Sequence, residues 1–219
     1  MLRDSPKRMN AVLMEVVAKA LGEARCRVFD WKHRIETCGS ITLDRLTIQG
    51  ANASHGIFYY PSHPKYLFEM FSGLPIDHTK YRFLDLGSGK GRVLLIASEF
   101  PFLDVRGVEF AKELHDIAVR NIARYRSSTQ KCCDVRAFFQ DAIHCEFPEG
   151  SLVIYMFNPF RPPVLAQVLR NLQRSIEQHP RDVLLIYGSP FHGQLVTEYT
   201  SMKRVEHGTY HDLFRTPSE

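Results

Sequence analysis

Phe83-Leu-Asp-Leu-Gly-Ser-Gly-Lys-Gly-Arg92 is an apolar strand that runs into a turn with glycines at 87, 89 and 91, and Val93 onward reads as an apolar helix leaving it. A Cβ at those three positions would clash with a close ligand or forbid positive φ, so the turn can bend sharply and bring its backbone against what it binds. The next strand, Val105-Arg-Gly-Val-Glu109, ends in an acid. A carboxylate there accepts hydrogen bonds from both hydroxyls of a ribose and disfavours a ligand phosphate at the same place. Turn and acid together read as a nucleoside site for an adenosine derivative without phosphates.

Spacing sharpens the reading. The dinucleotide fingerprint is G-x-G-x-x-G and holds a pyrophosphate at a helix N-terminus. This chain has G-x-G-x-G, with Asp85 two residues before the first glycine, where a carboxylate repels a pyrophosphate and suits a cation. The stretch from Asp85 to Gly91, with Glu109 after it, resembles the class I S-adenosylmethionine-dependent methyltransferases. That resemblance implies S-adenosyl-L-methionine as cofactor and S-adenosyl-L-homocysteine as product. By the same likeness Asp85, Gly87, Ser88, Gly89 and Gly91 hold the amino acid part, and Glu109 holds the ribose. It also implies a Rossmann-like α/β fold, a seven-stranded, mostly parallel sheet closed by an antiparallel hairpin and preceded by a helical addition.

The elements around the turn follow an alternating rhythm that predicts such a sheet. Strands are expected at 82–86, 104–109, 134–139, 151–157 and 182–187, with helices at 91–100, 111–125 and from Pro162 onward. Ser151 to Phe157 is nearly all apolar, as suits a strand covered on both faces. Met202 to His207 and Tyr210 to Phe214 flank Gly208-Thr209 and predict the closing hairpin. Residues 1–80 read as a helical addition or lid on a core of 81–219. Within them, Met9 to Ala24 carries a helical apolar stripe, short extended pieces fall around Ile41 to Leu46, and Pro64 to Gly73 reads as a helix.

Ligands of open α/β sheets lie beyond the carboxyl ends of the strands, and the remaining candidates fall there. Asp141 and Ala142 follow the third strand, where the resembled family reads adenine; an Asp in that place also caps a turn. Asn158-Pro159-Phe160 ends the fourth strand and resembles the [N/D]-P-P-[Y/F] motif of amine-directed methyltransferases, with the second proline missing. In that motif a side-chain oxygen and a carbonyl accept from the target nitrogen while a ring covers it. Tyr59-Tyr-Pro-Ser62 is similar to a segment of uncharacterised bacterial methyltransferases and, more remotely, of small protein-lysine methyltransferases. It places Tyr59 and Ser62 over the cofactor carboxylate or the acceptor channel, or else in an aromatic core turn. No Asp/His pair suggests a base, which fits transfer by proximity.

Composition bounds the rest. With 219 residues and 44% apolar content the chain has material for one domain with additions and a full core. No run approaches the ~18 apolar residues of a membrane span, so no membrane insertion is expected. Five cysteines without C-x-x-C spacing read as reduced thiols of a cytoplasmic protein, and the ten histidines show no metal-ligand spacing. A net charge of +4 permits an acidic partner without requiring one. The basic run Arg120, Arg124, Arg126 and Lys131 reads as a solvated helix face. The expected acceptor is a protein lysine or a small amine, with an RNA or DNA base, or a binding module without catalysis, as the alternatives.

Overall fold

Strand β1 (Arg82–Leu86) lies inside a single sheet with β2 (Val105–Glu109), β3 (Val135–Phe139), β4 (Leu152–Phe157), β5 (Val183–Gly188), β6 (Lys203–His207) and β7 (His211–Arg215). The computed structural model describes residues 22–47 and 59–217. The sheet order is β3-β2-β1-β4-β5-β7-β6. Strands β1 to β5 pair in parallel, and β7 joins β5 and β6 antiparallel, so the expected hairpin closes the sheet. Chain order runs outward from β1 through β2 to β3 and then jumps to β4 on the other side of β1. The strand ends around β1 and β4 are therefore the switch point where such sheets form a crevice.

Helices cover both faces. The described end of α1 spans 22–33, followed by α2 (Pro64–Ser72), α3 (Arg92–Ala97), α4 (Lys112–Arg124), α5 (Pro162–Gln178) and α6 (Gln194–Tyr199). Alternation along the strands sorts the layers. Phe83, Val153, Tyr155, Leu184 and Ile186 face α2 and α3, while Leu84, Leu86, Ile154, Met156, Leu185 and Tyr187 face α5 and Val196 of α6. Helix α5 begins with Pro162 at a position where a missing N–H costs no hydrogen bond, and it buries Leu165, Val168, Leu169, Leu172 and Ile176 as the periodicity requires. In α2, Phe71 is wholly buried and meets Phe83 and Tyr155 edge-on, at ring distances of 5.1 and 6.1 Å. This element of the addition is thus packed into the sheet's own core.

Several expectations change. Of the helix expected from Met9 to Ala24, residues before 22 lie outside the described residues, and the described helix runs on to residue 33. Extended structure around Ile41 to Leu46 reduces to one bridge from Ile41 to Tyr59, followed by a 3-10 turn at Leu43–Arg45. Helix α3 is shorter than expected because Glu99 and Phe100 close it in a tighter turn, donating to Ile96 O and Ala97 O. The short α6 was not expected, since only Val196 among its residues is buried and no apolar period marks it. Among the cysteines, Cys26 and Cys38 are joined in a disulfide, which overturns the expectation of five reduced thiols; Cys132, Cys133 and Cys145 are free. No described helix is long and apolar enough to cross a membrane.

Candidate active site

All three glycines of the turn adopt positive φ, +81° at Gly87, +53° at Gly89 and +84° at Gly91. Close packing would exclude a side chain at Gly87 and Gly89, and crowd one at Gly91, even without the torsion. A Cβ on Gly87 would stand 2.7 Å from Pro159 Cβ, one on Gly89 would run into the Tyr59 ring, and one on Gly91 would meet Ala118 of α4 at 3.1 Å. Gly91 is also the N-cap of α3, so the turn passes directly into the helix. Next to it Gly107 of β2 leaves the space that Ser88 fills, since a Cβ there would lie 2.7 Å from Ser88 Cβ.

Two acids meet below this turn. Asp85 is 2% exposed, and its Oδ2 has no hydrogen-bond partner among the described residues. Burial raises its pKa well above the ordinary carboxylate range, and the charge of Glu109 adds to the rise. Glu109 is buried as well, and its two oxygens accept from Gly89 N and Ala111 N, each at 2.8 Å. Burial raises the Glu109 pKa, and those backbone donors work in the opposite direction. A carboxylate has about four lone-pair sites, so Glu109 keeps acceptor capacity beyond these backbone bonds.

The ends of β4 and β5 form the opposite wall. Asn158 and Ser189 follow these strands with φ of +43° and +48°, left-handed conformations that non-glycine residues adopt at a cost of about 1–2 kcal/mol. Between them Phe157 packs on Gly188, where a Cβ would meet the ring at 2.5 Å. Tyr187, fully buried with a pKa pushed up to about 12 by desolvation, donates to Asn158 Oδ1 at 3.2 Å. This contact fixes the orientation of the Asn158 amide.

The front of the site is covered from the N-terminal side. Tyr59 lies against Gly89, and its hydroxyl donates to Thr37 O at 2.7 Å. Ser62 is buried, with its hydroxyl 2.9 Å from that of Tyr155. Arg92, 2% exposed, donates to Thr37 Oγ1 at 2.7 Å and Ser62 O at 3.0 Å and pairs with Asp30 at 3.5 Å. Asp30 in turn accepts from Thr37 N and Cys38 N, at 2.6 and 2.8 Å. Lys90 Nζ donates to Cys38 O at 2.9 Å, and Asn121 of α4 bridges Lys90 O and Glu36 O at 2.9 Å each. Residues 30–38 are therefore fastened to the turn by buried polar groups, every one of which finds a partner.

Around one cavity of about 200 Å³ the structure gathers Tyr59, Asp85, Gly87, Ser88, Gly89, Glu109, Asn158, Pro159 and Phe160. Gly91, Asp141 and Ala142 stand outside its lining. Asp141 accepts from Ile143 N at 3.1 Å and caps a 3-10 turn, the alternative use its residue type allows, and Ala142 is buried in the core beneath α5. Sequence reasoning missed Lys90, Arg92, Asn121 and Tyr187, whose partners lie between 29 and 85 residues away. The one local signal was two basic side chains set within a close-packed glycine turn. The volume is below the 300–1,000 Å³ usual for ligand pockets, in keeping with the Tyr59 ring lying on Gly89.

No protein-family model matches the chain, and no curated protein matches it. Among solved structures the chain is similar to a predicted N6-adenine-specific DNA methylase from Listeria monocytogenes, at 10% identity and a TM-score of 0.53. The match covers 73% of this chain and 52% of that one, so this chain spans about half the length of that protein. It is similar also to an RNA methyltransferase from Salinibacter ruber in complex with S-adenosyl-L-homocysteine, at 17% identity and a TM-score of 0.47, over 73% of this chain and 95% of that one. These likenesses are likenesses of fold.

Proposed function

We propose that this chain, which has the Rossmann-like class I methyltransferase fold, binds S-adenosyl-L-methionine and methylates a nitrogen of a protein lysine or a small amine. The observation that carries the reading is Asp85, buried with one oxygen unpartnered at the base of the glycine turn and beside a second acid. A cationic amino acid group satisfies that oxygen and relieves the repulsion between the carboxylates. A pyrophosphate would add to it.

The other residues fit the same ligand. Glu109 keeps acceptor capacity beyond its backbone bonds for a ribose hydroxyl, and the glycine turn leaves room where a side chain would intrude. Phe110 and Leu114, which line the cavity after Glu109, suit the flat apolar faces of adenine, and Asp141 keeps its role as a cap. Bound S-adenosylmethionine supplies a methyl group already activated on a sulfonium, so the protein needs chiefly to place and desolvate the acceptor. Asn158, oriented by Tyr187, offers its oxygen to the acceptor N–H, and Phe157, Phe160 and Tyr59 wall off water and favour a cationic product. An acceptor amine must be neutral to react, and burial there lowers its pKa. The segment ahead of β1 serves in this reading as a cover over the 81–219 core, with Tyr59 withdrawing from Gly89 to admit the ligand.

Calorimetric titration with S-adenosylmethionine, S-adenosylhomocysteine and NAD tests the cofactor. Binding of the first two with no response to NAD is expected; binding of NAD alone ends the reading. For the acceptor, labelled S-adenosylmethionine is incubated with a lysate fractionated into protein, RNA, DNA and small molecules. Label confined to nucleic acid would replace the amine by a base.

A further inference from the structure

We propose that the Cys26–Cys38 disulfide is a thiol–disulfide exchange site, with a small-molecule thiol as its reaction partner, and that its state sets how firmly the glycine turn is held. Three independent features support this. First, both cysteines line a second cavity, of about 600 Å³, between α1 and the Tyr60-Pro61-Ser62 segment. It adjoins the candidate active site through Tyr60, Pro61, Ser62, Arg92 and Phe157. Cys38 is half-buried there, so a small thiol can reach its sulfur, whereas Cys26 is 7% exposed.

Second, the Arg92 guanidinium touches both sulfurs, with Nη2 2.6 Å from Cys26 Sγ and 3.3 Å from Cys38 Sγ. A fixed positive charge beside a sulfur favours its thiolate, and a thiol stabilised as thiolate is the better leaving group in exchange. A thiolate entering the cavity attacks Cys38 Sγ, the S–S bond breaks, and its electron pair leaves on Cys26 Sγ beside Arg92. A second thiol then attacks the mixed disulfide and releases Cys38. Two small thiols are oxidised to one disulfide, and the protein disulfide is reduced to two thiols. A small-molecule disulfide reverses both steps.

Third, Cys38 is tied to the turn. Its carbonyl accepts from Lys90 between Gly89 and Gly91, its N–H is held by Asp30, and the preceding Thr37 takes hydrogen bonds from Arg92 and Tyr59. The disulfide anchors this cluster to α1. Opening it leaves residues 37–40 fastened only by polar contacts, which loosens Lys90 and the covering Tyr59 together.

The full chain, equilibrated against a series of reduced-to-oxidised dithiothreitol ratios and then alkylated, should show two of its five cysteines interconverting while the fold persists. Hydrogen exchange of peptides covering 36–40 and 87–92 should be faster in the reduced protein. The dissociation constant for S-adenosylhomocysteine, whose use here rests on the proposed function, should rise about fivefold on reduction, at the lower end of ordinary coupling between sites. Cys38→Ser should behave as reduced protein in either buffer, and Lys90→Met should keep the disulfide but lose the difference between the two states. A disulfide that opens only on unfolding, identical exchange at 87–92 in both states, or equal ligand affinity in both states overturns the proposal. Silence of the ligand in both states, with redox-dependent exchange at 87–92, ends the cofactor reading and leaves the exchange site supported.

Discussion

Asp85 is a residue whose chemistry opposes the stability of the free protein. Its pKa is raised in the fold, so the folded protein holds its proton to higher pH than the unfolded chain does. From about pH 4, near the ordinary carboxylate value, up to the raised value, stability therefore falls as pH rises, and above that window the full cost of the buried charge remains. Asp85→Asn should raise the melting temperature by about 4 °C at neutral pH, corresponding to about 1–2 kcal/mol for a buried unpaired group, and by less near pH 4. In calorimetry the same variant should bind S-adenosylhomocysteine about tenfold or more weakly, the loss of one charge-assisted contact. A variant that is stabler and still binds normally would remove Asp85 from the site. Glycine 87 makes a complementary case: Gly87→Ala must accept φ of +81° and a contact with Pro159, and should cost about 2 kcal/mol in denaturant unfolding. The placement of Asp85, the glycines and Glu109 about one turn was legible because it follows from residue type at fixed local spacing. Asp141 was ambiguous for the same reason, since the carboxylate that suits adenine also suits a cap; the structure shows the cap, which does not bear on a contact with adenine.

Elements were legible wherever a continuous period reported a buried face. Helix α5 begins at its expected residue, and strands β1, β4 and β5 lie within a residue of their expected bounds, because each buries a stripe or run of largely apolar side chains. Helix α6 has one buried residue and no stripe, so nothing in its sequence separates it from a loop. Helix α2 was readable as a helix, but its energetic weight was not. Phe71 has no exposure and contacts rings on both β1 and β4. Phe71→Ala should cost about 3–5 kcal/mol by removing apolar surface and leaving a cavity beneath the sheet, read as a lower midpoint in urea with an unchanged slope. A loss under about 1 kcal/mol would mean that α2 is peripheral to the core after all.

At the scale of the molecule, the candidate site depends on a segment far from it in sequence being fastened over the turn. Asn121, 1% exposed, holds that segment with three hydrogen bonds, accepting from Glu36 N and donating to Glu36 O and Lys90 O. Asn121→Ala leaves those main-chain groups unpaired and should cost about 2–3 kcal/mol. Hydrogen exchange should rise at residues 36–40 and 87–92 more than in the distant hairpin of β6 and β7; a uniform rise would point to general destabilisation instead. The sequence by itself determined the alternating α/β order, the glycine turn and the acids at the ends of β1 and β2, because strand and helix periods and glycine torsions are properties of neighbouring residues. Only the tertiary structure decided that Arg92, Lys90 and Asn121 clasp residues 30–38, that Tyr187 orients Asn158, and that Cys26 meets Cys38. Those pairings join groups 12 to 85 residues apart, and hydrogen-bond complementarity between distant segments leaves no period in the chain to read.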